Sequence, residues 1–448
     1  VLAACAFLAI SSGSAARGDS QPEPGATRAP VVPKEVELPT ELSLEVALQI
    51  FRTAGLDLLL ADAAVLSAGG DVQTASAVAN PNVAFSAGPT FNYNAHAPPR
   101  CLGCEQYVIN WSMADNGAVF DSLVHKRGLR IEAALAALAA AQLSRVDAER
   151  TLEFQVKQQY MQVGLARMSL RFAREIQASM TQTWELTRLR YPKLIDEGAL
   201  SRMRIQKLEA DQGVATAENA LRQAQLGLAF LLGVRGPVPD FAVAEQEFKY
   251  RSLPRLRELN ERALLEYALQ YRPDLRAAVA QKDRAALALR LAKRLRFPDI
   301  NLEVSYTQIG VGQDAGQPPG LYFGGAVNLP IFYQQQGELL RADAELDTRT
   351  LQQAKAVAQV AADIGNSAAG FRAARELVER MEGTLLERAG KARDIVNLQY
   401  KAGAATLIDF LDAQRTYIAT HQEYFQDLIN YFTALYQLEQ AVGVELRK

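Results

Sequence analysis

The chain has 448 residues, a formal charge of −2 and 49% hydrophobic residues. This balance leaves no electrostatic footprint for nucleic acid, and its acids and bases alternate as on solvated helix faces. Beyond the N-terminus no apolar run approaches the roughly 20 residues of an α-helical membrane span, which excludes a helical inner-membrane protein.

Residues 1–16 are apolar and then small, like the tail of an export signal. Two processing readings stand side by side. Leu2-Ala3-Ala4-Cys5 fits a lipoprotein box with Cys5 as the lipidated terminus, and Ser14-Ala15-Ala16 fits ordinary signal cleavage. Gln21 to Pro33, with Pro22, Pro24, Pro30 and Pro33, reads as an extended or disordered leader, so 1–40 is expected to be a signal remnant and leader.

From residue 41 the chain says almost the same thing twice, so internal duplication decides the architecture. The first repeat is expected over 41–236 and the second over 255–448, with 237–254 as a linker. Ser43 is placed to cap a helix whose apolar side holds Leu44, Ala47, Leu48 and Phe51. The matching opening in the second repeat contains Pro273-Asp274-Leu275. Each opening ends at a proline, Pro81 or Pro298, and a pair of strands follows.

Those strands are expected at about 82–94, 105–115, 299–309 and 320–332 from clean period-two alternation. Val83 and Phe85, then Tyr107, Ile109, Trp111 and Met113, then Ile300, Leu302, Val304 and Tyr306, then Leu321, Phe323 and Val327 fall on apolar faces. Between the first two strands, Cys101 and Cys104 lie in a Pro-containing loop. A small disulfide loop is the plain reading, and a metal site would need more ligands than nearby His96 supplies.

After each hairpin the pattern is helical. One stretch, 119–190, is on the order of 100 Å long at the α-helical rise, and such a helix must lie along partners in a bundle. Each long helical stretch is broken once, at Gly198-Ala199-Leu200-Ser201 and at Gly403-Ala404-Ala405-Thr406. Gly198 and Gly403 are expected to allow the reversals. Four alternating strands could be buried under helices. They could instead face a membrane, but a spanning sheet must close and four strands are too few. Several chains sharing one barrel would close it.

The repeated openings, the paired hairpins, the strand exit Asn328-Leu329-Pro330-Ile331-Phe332 and the second tip, residues 400–413, resemble the TolC-like outer-membrane efflux proteins. The resemblance covers nearly everything from 42 to 443. It implies a mainly α fold with a small β part. Long helical hairpins form a trimeric α-barrel in the periplasm, and four strands per chain contribute to a shared 12-stranded outer-membrane β-barrel. The implied partners are the other copies of a homotrimer, a periplasmic adaptor (membrane fusion) protein, an inner-membrane pump of the RND type and outer-membrane lipid. No nucleic acid, cofactor or metal site is expected.

Asp409 and Asp412 are three apart and share one helix face near the second tip. If that face lines the pore, threefold symmetry stacks two acidic rings that favour cations. The plainer reading is solvated charges at a helix end. In well-known family members matching aspartates line the periplasmic entrance, and a tyrosine matching Tyr400 helps to hold it shut. This chain departs from the pattern: Ala405 stands in place of an arginine and Arg204 in place of an aspartate. A reversed pair of Arg204 or Arg202 with Asp409 across neighbouring tips is therefore expected. The family also implies adaptor docking at Gly198, Ala199, Leu200 and Ser201 and at Gly403, Ala404, Ala405 and Thr406.

The leading function is a passive efflux duct. The exit duct of a type I protein secretion system and a soluble coiled-coil scaffold are the alternatives. An enzyme finds little support, since His96, His125 and His421 are scattered and no nucleophile motif or phosphate loop is present. The helical arms look closest to the branch associated with heavy-metal cation pumps, although the scarcity of His, Cys and Met lends this no support.

Overall fold

The computed structural model describes residues 35–90, 106–193, 195–253, 256, 260–309 and 318–446. Cys5, His96, Cys101 and Cys104 lie outside them. The first repeat runs through β1 (Glu41–Leu42), α1 (Leu44–Ala54), α2 (Leu56–Ser76), β2 (Asn82–Thr90), β3 (Gln106–Ala114), α3 (Ala118–Leu123), α4 (Lys126–Arg190) and α5 (Glu197–Leu231). Then come β4 (Ala242–Val243) and a 3₁₀ turn (Glu245–Phe248). The second repeat runs through α6 (Glu261–Tyr271), α7 (Pro273–Leu295), β5 (Ile300–Ile309), β6 (Gly320–Val327), α8 (Gln336–Arg380), α9 (Leu386–Ala402) and α10 (Leu407–Val442).

Local chemistry starts and stops these helices. Ser43 Oγ accepts from the Val46 amide at 3.3 Å, Asn260 Oδ1 accepts from Ala263 at 3.2 Å, and Asp196 Oδ1 accepts from Ala199 at 2.6 Å. Each satisfies an amide that the helix leaves open. Pro273 opens α7, where its missing N–H costs nothing. Gly403 and Gly443 end α9 and α10 at φ 78° and 88°, a region costly for residues with a Cβ.

The long helix expected over 119–190 is interrupted once. His125 takes φ 64° and separates α3 from α4. Below that point α4 is unbroken for 65 residues, on the order of 100 Å. In the second repeat α8 and α9 are continuous through a π turn, Met381–Leu385. Tyr250 and Tyr424 donate hydroxyls to Glu379 and Glu382 beside that turn, both at 2.7 Å.

The four long strands form one antiparallel sheet in the order β2-β3-β5-β6. The register places Phe85 opposite Trp111, Trp111 opposite Tyr306, and Tyr306 opposite Leu321. One row higher it aligns Val83, Met113, Val304 and Phe323. Opposed residues share a face, so both rows build one apolar surface across all four strands. The other face carries Ser86, Asn110 and Thr307 in one row and Ser112, Ser305 and Tyr322 in the next. Phe85 is 71% exposed and Phe323 78%. Within the chain, β2 and β6 each have one unpaired edge.

The main core lies where α1, the 241–248 strap and the long helices meet. Residues 237–254, expected as a linker, contribute to it: Phe241, Val243 and Phe248 are buried there. β4 pairs in parallel with β1, so the strap is held to the start of the first repeat. The Tyr160 hydroxyl donates to the Leu42 carbonyl at 3.0 Å and accepts from the Ala244 amide at 3.3 Å. Its ring stacks on Phe248 at 5.7 Å. Each such buried aromatic or aliphatic side chain contributes about 1.5–3 kcal/mol. A second cluster lies towards the helical tips, built from Phe172, Ile176 and Met180 of α4, Met203 of α5, Tyr400 of α9 and Phe410 of α10, among others.

Candidate functional site

The two tips reverse the chain in different ways. At the first, α4 ends at Arg190, and Tyr191 before Pro192 is extended (ψ 142°), as a residue preceding proline prefers. The reversal begins at Tyr191, and Asp196 caps α5. Gly198 lies inside the first turn of α5 rather than at the reversal, because Asp196 supplies the better cap. Ala199 packs against the tip cluster, Leu200 is half-buried and Ser201 is exposed.

At the second tip the glycine is the reversal. The Gly403 amide donates to Tyr400 O at 3.1 Å and the Ala404 amide to Gln399 O at 2.8 Å. Ala404 is exposed and Ala405 half-buried. Thr406 then forms a capping box with Asp409: Thr406 Oγ1 accepts from the Asp409 amide at 3.2 Å, and Asp409 Oδ2 accepts from the Thr406 amide at 3.0 Å. The Thr406 hydroxyl also lies 2.7 Å from Asp409 Oδ2. These bonds, the hydroxyl's first, hold the Asp409 carboxyl below the ordinary carboxylate range. Asp409 and Asp412 are both exposed, so the face they share is acidic and open to solvent.

Tyr400 is not on that face. It is 4% exposed, stacks on Phe410 at 5.4 Å, and its hydroxyl lies 3.0 Å from Thr187 Oγ1 of α4. Arg202 and Arg204 are exposed on α5, and among the described residues no ion pair joins either to Asp409. A different arginine reaches the second tip. Arg190 donates Nη1 to Tyr400 O at 3.2 Å and Nη2 to Lys401 O at 2.7 Å. Its guanidinium carbon lies 5.5 Å from the Tyr400 ring centroid. Neither Arg190 nor Thr187 stands out in the sequence. The available signal was a buried stripe at helical spacing, Phe172, Ile176, Met180, Thr183 and Thr187, which turns from apolar to hydroxyl-bearing towards the tip.

Above the tips, His421 sits among aromatic rings. It stacks on Phe172 at 4.9 Å and lies 4.4 Å from the Tyr417 ring, which in turn carries Arg393 at 4.0 Å. Burial lowers the His421 pKa, Glu175 works to raise it and Arg393 to lower it.

The tip thus presents an exposed acidic face, and the sheet one apolar face. The family model for the outer membrane efflux protein matches residues 264–444. The cobalt-zinc-cadmium resistance protein CzcC of Cupriavidus metallidurans is 24% identical over 428 residues, 94% of this chain and 93% of that protein. The chain is similar to outer-membrane efflux proteins. The pyoverdine export outer membrane protein OpmQ of Pseudomonas aeruginosa is 28% identical over 320 residues, 69% of this chain and 65% of the relative. The solved channel CusC shares the chain's fold with a TM-score of 0.73 at 18% identity, over 90% of this chain and 92% of the other. VceC of Vibrio cholerae gives 0.69 at 19% identity, over 90% and 96%. These likenesses support an outer-membrane efflux duct. The proteins the chain matches are outer-membrane channels rather than enzymes.

Proposed function

We propose that three copies close this sheet into one 12-stranded barrel and continue it as a helical tunnel. The reading rests on one observation: the apolar face crosses all four strands, while both outer edges of the sheet are unpaired. Strands of 8 to 10 residues suit a tilted membrane span. A lipid-facing sheet must leave no open edge, so β2 of one copy pairs with β6 of the next. The polar face then lines the lumen. Repeats 41–236 and 255–448 each give one hairpin of strands and one hairpin of long helices.

At the far end, Asp409 and Asp412 form the acidic entrance, with Arg204 on the neighbouring first tips. Residues 198–201 and 403–406 dock a periplasmic adaptor, which joins the duct to an inner-membrane pump of the RND type. Divalent metal cations are the proposed cargo. The near full-length likeness to a cobalt-zinc-cadmium resistance protein supports this, and acidic rings favour cations.

Cysteines placed along β2 and β6 test the closure. Oxidation should give covalent trimers and no larger species, and the protein should form pores in planar bilayers. A detergent-independent monomer without pore activity would overturn the proposal. For the cargo, loss of the gene should lower tolerance to zinc, cobalt or cadmium. Unchanged metal tolerance with reduced siderophore export would replace metal by siderophore.

A further inference from the structure

The acidic face at the second tip does not itself hold the two hairpins together within the chain. We infer that Arg190 is the positioning residue that keeps the entrance closed, acting on the carbonyl end of α9 rather than on a carboxylate. The inference rests on the proposed duct and names the contact that sets its resting state.

The last carbonyls of a helix have no partner within it. In α9, Gln399 O and Tyr400 O are served by the amides of the Gly403 turn. Lys401 O receives Arg190 Nη2 at 2.7 Å, and the same fork reaches Tyr400 O at 3.2 Å. The guanidinium therefore lies at the negative end of the α9 dipole and near the face of the Tyr400 ring, 5.5 Å from its centroid. Among the described residues no carboxylate pairs with Arg190, so its charge acts on this helix end.

Arg190 belongs to the other hairpin, in the last turn of α4. Thr187 precedes it by three residues and so lies on the same face. The Thr187 hydroxyl has one proton and gives it to Thr183 O at 2.7 Å. The 3.0 Å contact with Tyr400 is therefore donated by the tyrosine. α4 thus grips α9 at two points one turn apart. The second tip moves as a unit, because Tyr400 stacks on Phe410 across the reversal and the capping box fixes the start of α10. Parting the tips must break both contacts together. A lysine has no planar fork and can serve these two carbonyls less well.

The test uses full-length protein in planar bilayers, comparing the parent with Arg190→Ala, Arg190→Lys, Thr187→Val, Arg204→Ala and Asp409→Asn. Removing a charged hydrogen bond should move the closed-to-open ratio about tenfold or more toward open. The expected result is that Arg190→Ala raises open probability by that order, Arg190→Lys falls between it and the parent, and Thr187→Val moves the same way by less. The thermal dissociation temperature of the trimer should stay unchanged. If Arg190→Ala does not assemble, Arg190→Lys and Thr187→Val decide the matter, and parental open probability in both overturns the inference. Parental behaviour of Arg190→Ala while Arg204→Ala or Asp409→Asn opens the pore also overturns it, and places the latch between neighbouring tips. An unmodified protein that forms no pore overturns the duct itself, a distinct failure.

Discussion

Lys126 Nζ meets Asp299 Oδ1 at 2.7 Å, joining the first residue of α4 to the residue before β5. The lysine is 1% exposed and also donates to Phe297 O at 2.7 Å. The asparate side of this pair is half open to solvent, and the lysine side is not. Removing the carboxylate therefore strands a buried charge, whereas removing the ammonium does not. Asp299→Ala should cost about 2–4 kcal/mol and Lys126→Met about 1 kcal/mol. Thermal dissociation of the detergent-solubilised protein checks the order, and a larger loss in Lys126→Met would contradict it.

Gly164 is fixed by a neighbour rather than by its backbone angle. A Cβ there would lie 1.9 Å from Phe248 Cε1. That ring is buried against Tyr160 in the strap-to-α4 core. Gly164→Ala should destabilise by about 1–3 kcal/mol through overpacking. Phe248→Leu in the same background should recover part of the loss in a denaturant titration, because it removes the obstructing ring.

The two faces of the sheet should respond in opposite ways to the same residue. Phe323→Arg puts a charge on the apolar face and should cost about 2–4 kcal/mol near the membrane midplane, seen as lost outer-membrane trimer. Ser305→Arg puts it on the polar face. That variant should assemble and instead change single-channel conductance and ion selectivity. Equal assembly of both variants would count against the lipid-facing assignment.

His421 gives the periplasmic bundle a pH dependence. Its folded pKa is lowered from 6.5, chiefly by burial, with Glu175 and Arg393 opposing each other. The unfolded chain then binds the proton more readily, so stability rises with pH in that window. The contribution is complete above about pH 6.5 and is lost as pH falls below it. The dissociation temperature of the parent should drop over that range more steeply than that of His421→Phe. Parallel curves would assign the acid sensitivity to other groups.

Much of this fold is legible locally. Period-two alternation marks β2, β3, β5 and β6, and Ser43 and Gly403 announce a helix start and a helix end. The first tip is harder to read. Gly198 looks like the turn, but Pro192 and Asp196 place the reversal a few residues earlier. The strap is hidden for another reason: β4 has two residues, and its partner β1 lies about 200 residues away in sequence, so no periodicity develops. Arg190 is hidden because it acts on backbone carbonyls, which every residue carries. No matching acid in the sequence marks it.

The π turn at Met381–Leu385 sets the phase of everything below it. A π turn holds one residue more than an α turn of the same helix. Losing that residue there, for example Gly383, would leave an ordinary α turn and nearly keep the phase of α9, whereas losing one residue from a regular turn of α8 would rotate α9 by about 100°. Tyr400 would then turn off Thr187, and the carbonyls that Arg190 reaches would turn with it. A shift of one residue in a regular turn thus decides which side chain meets α4 at the tip, so within α8 and α9 a one-residue loss should be tolerated at the π turn and not elsewhere.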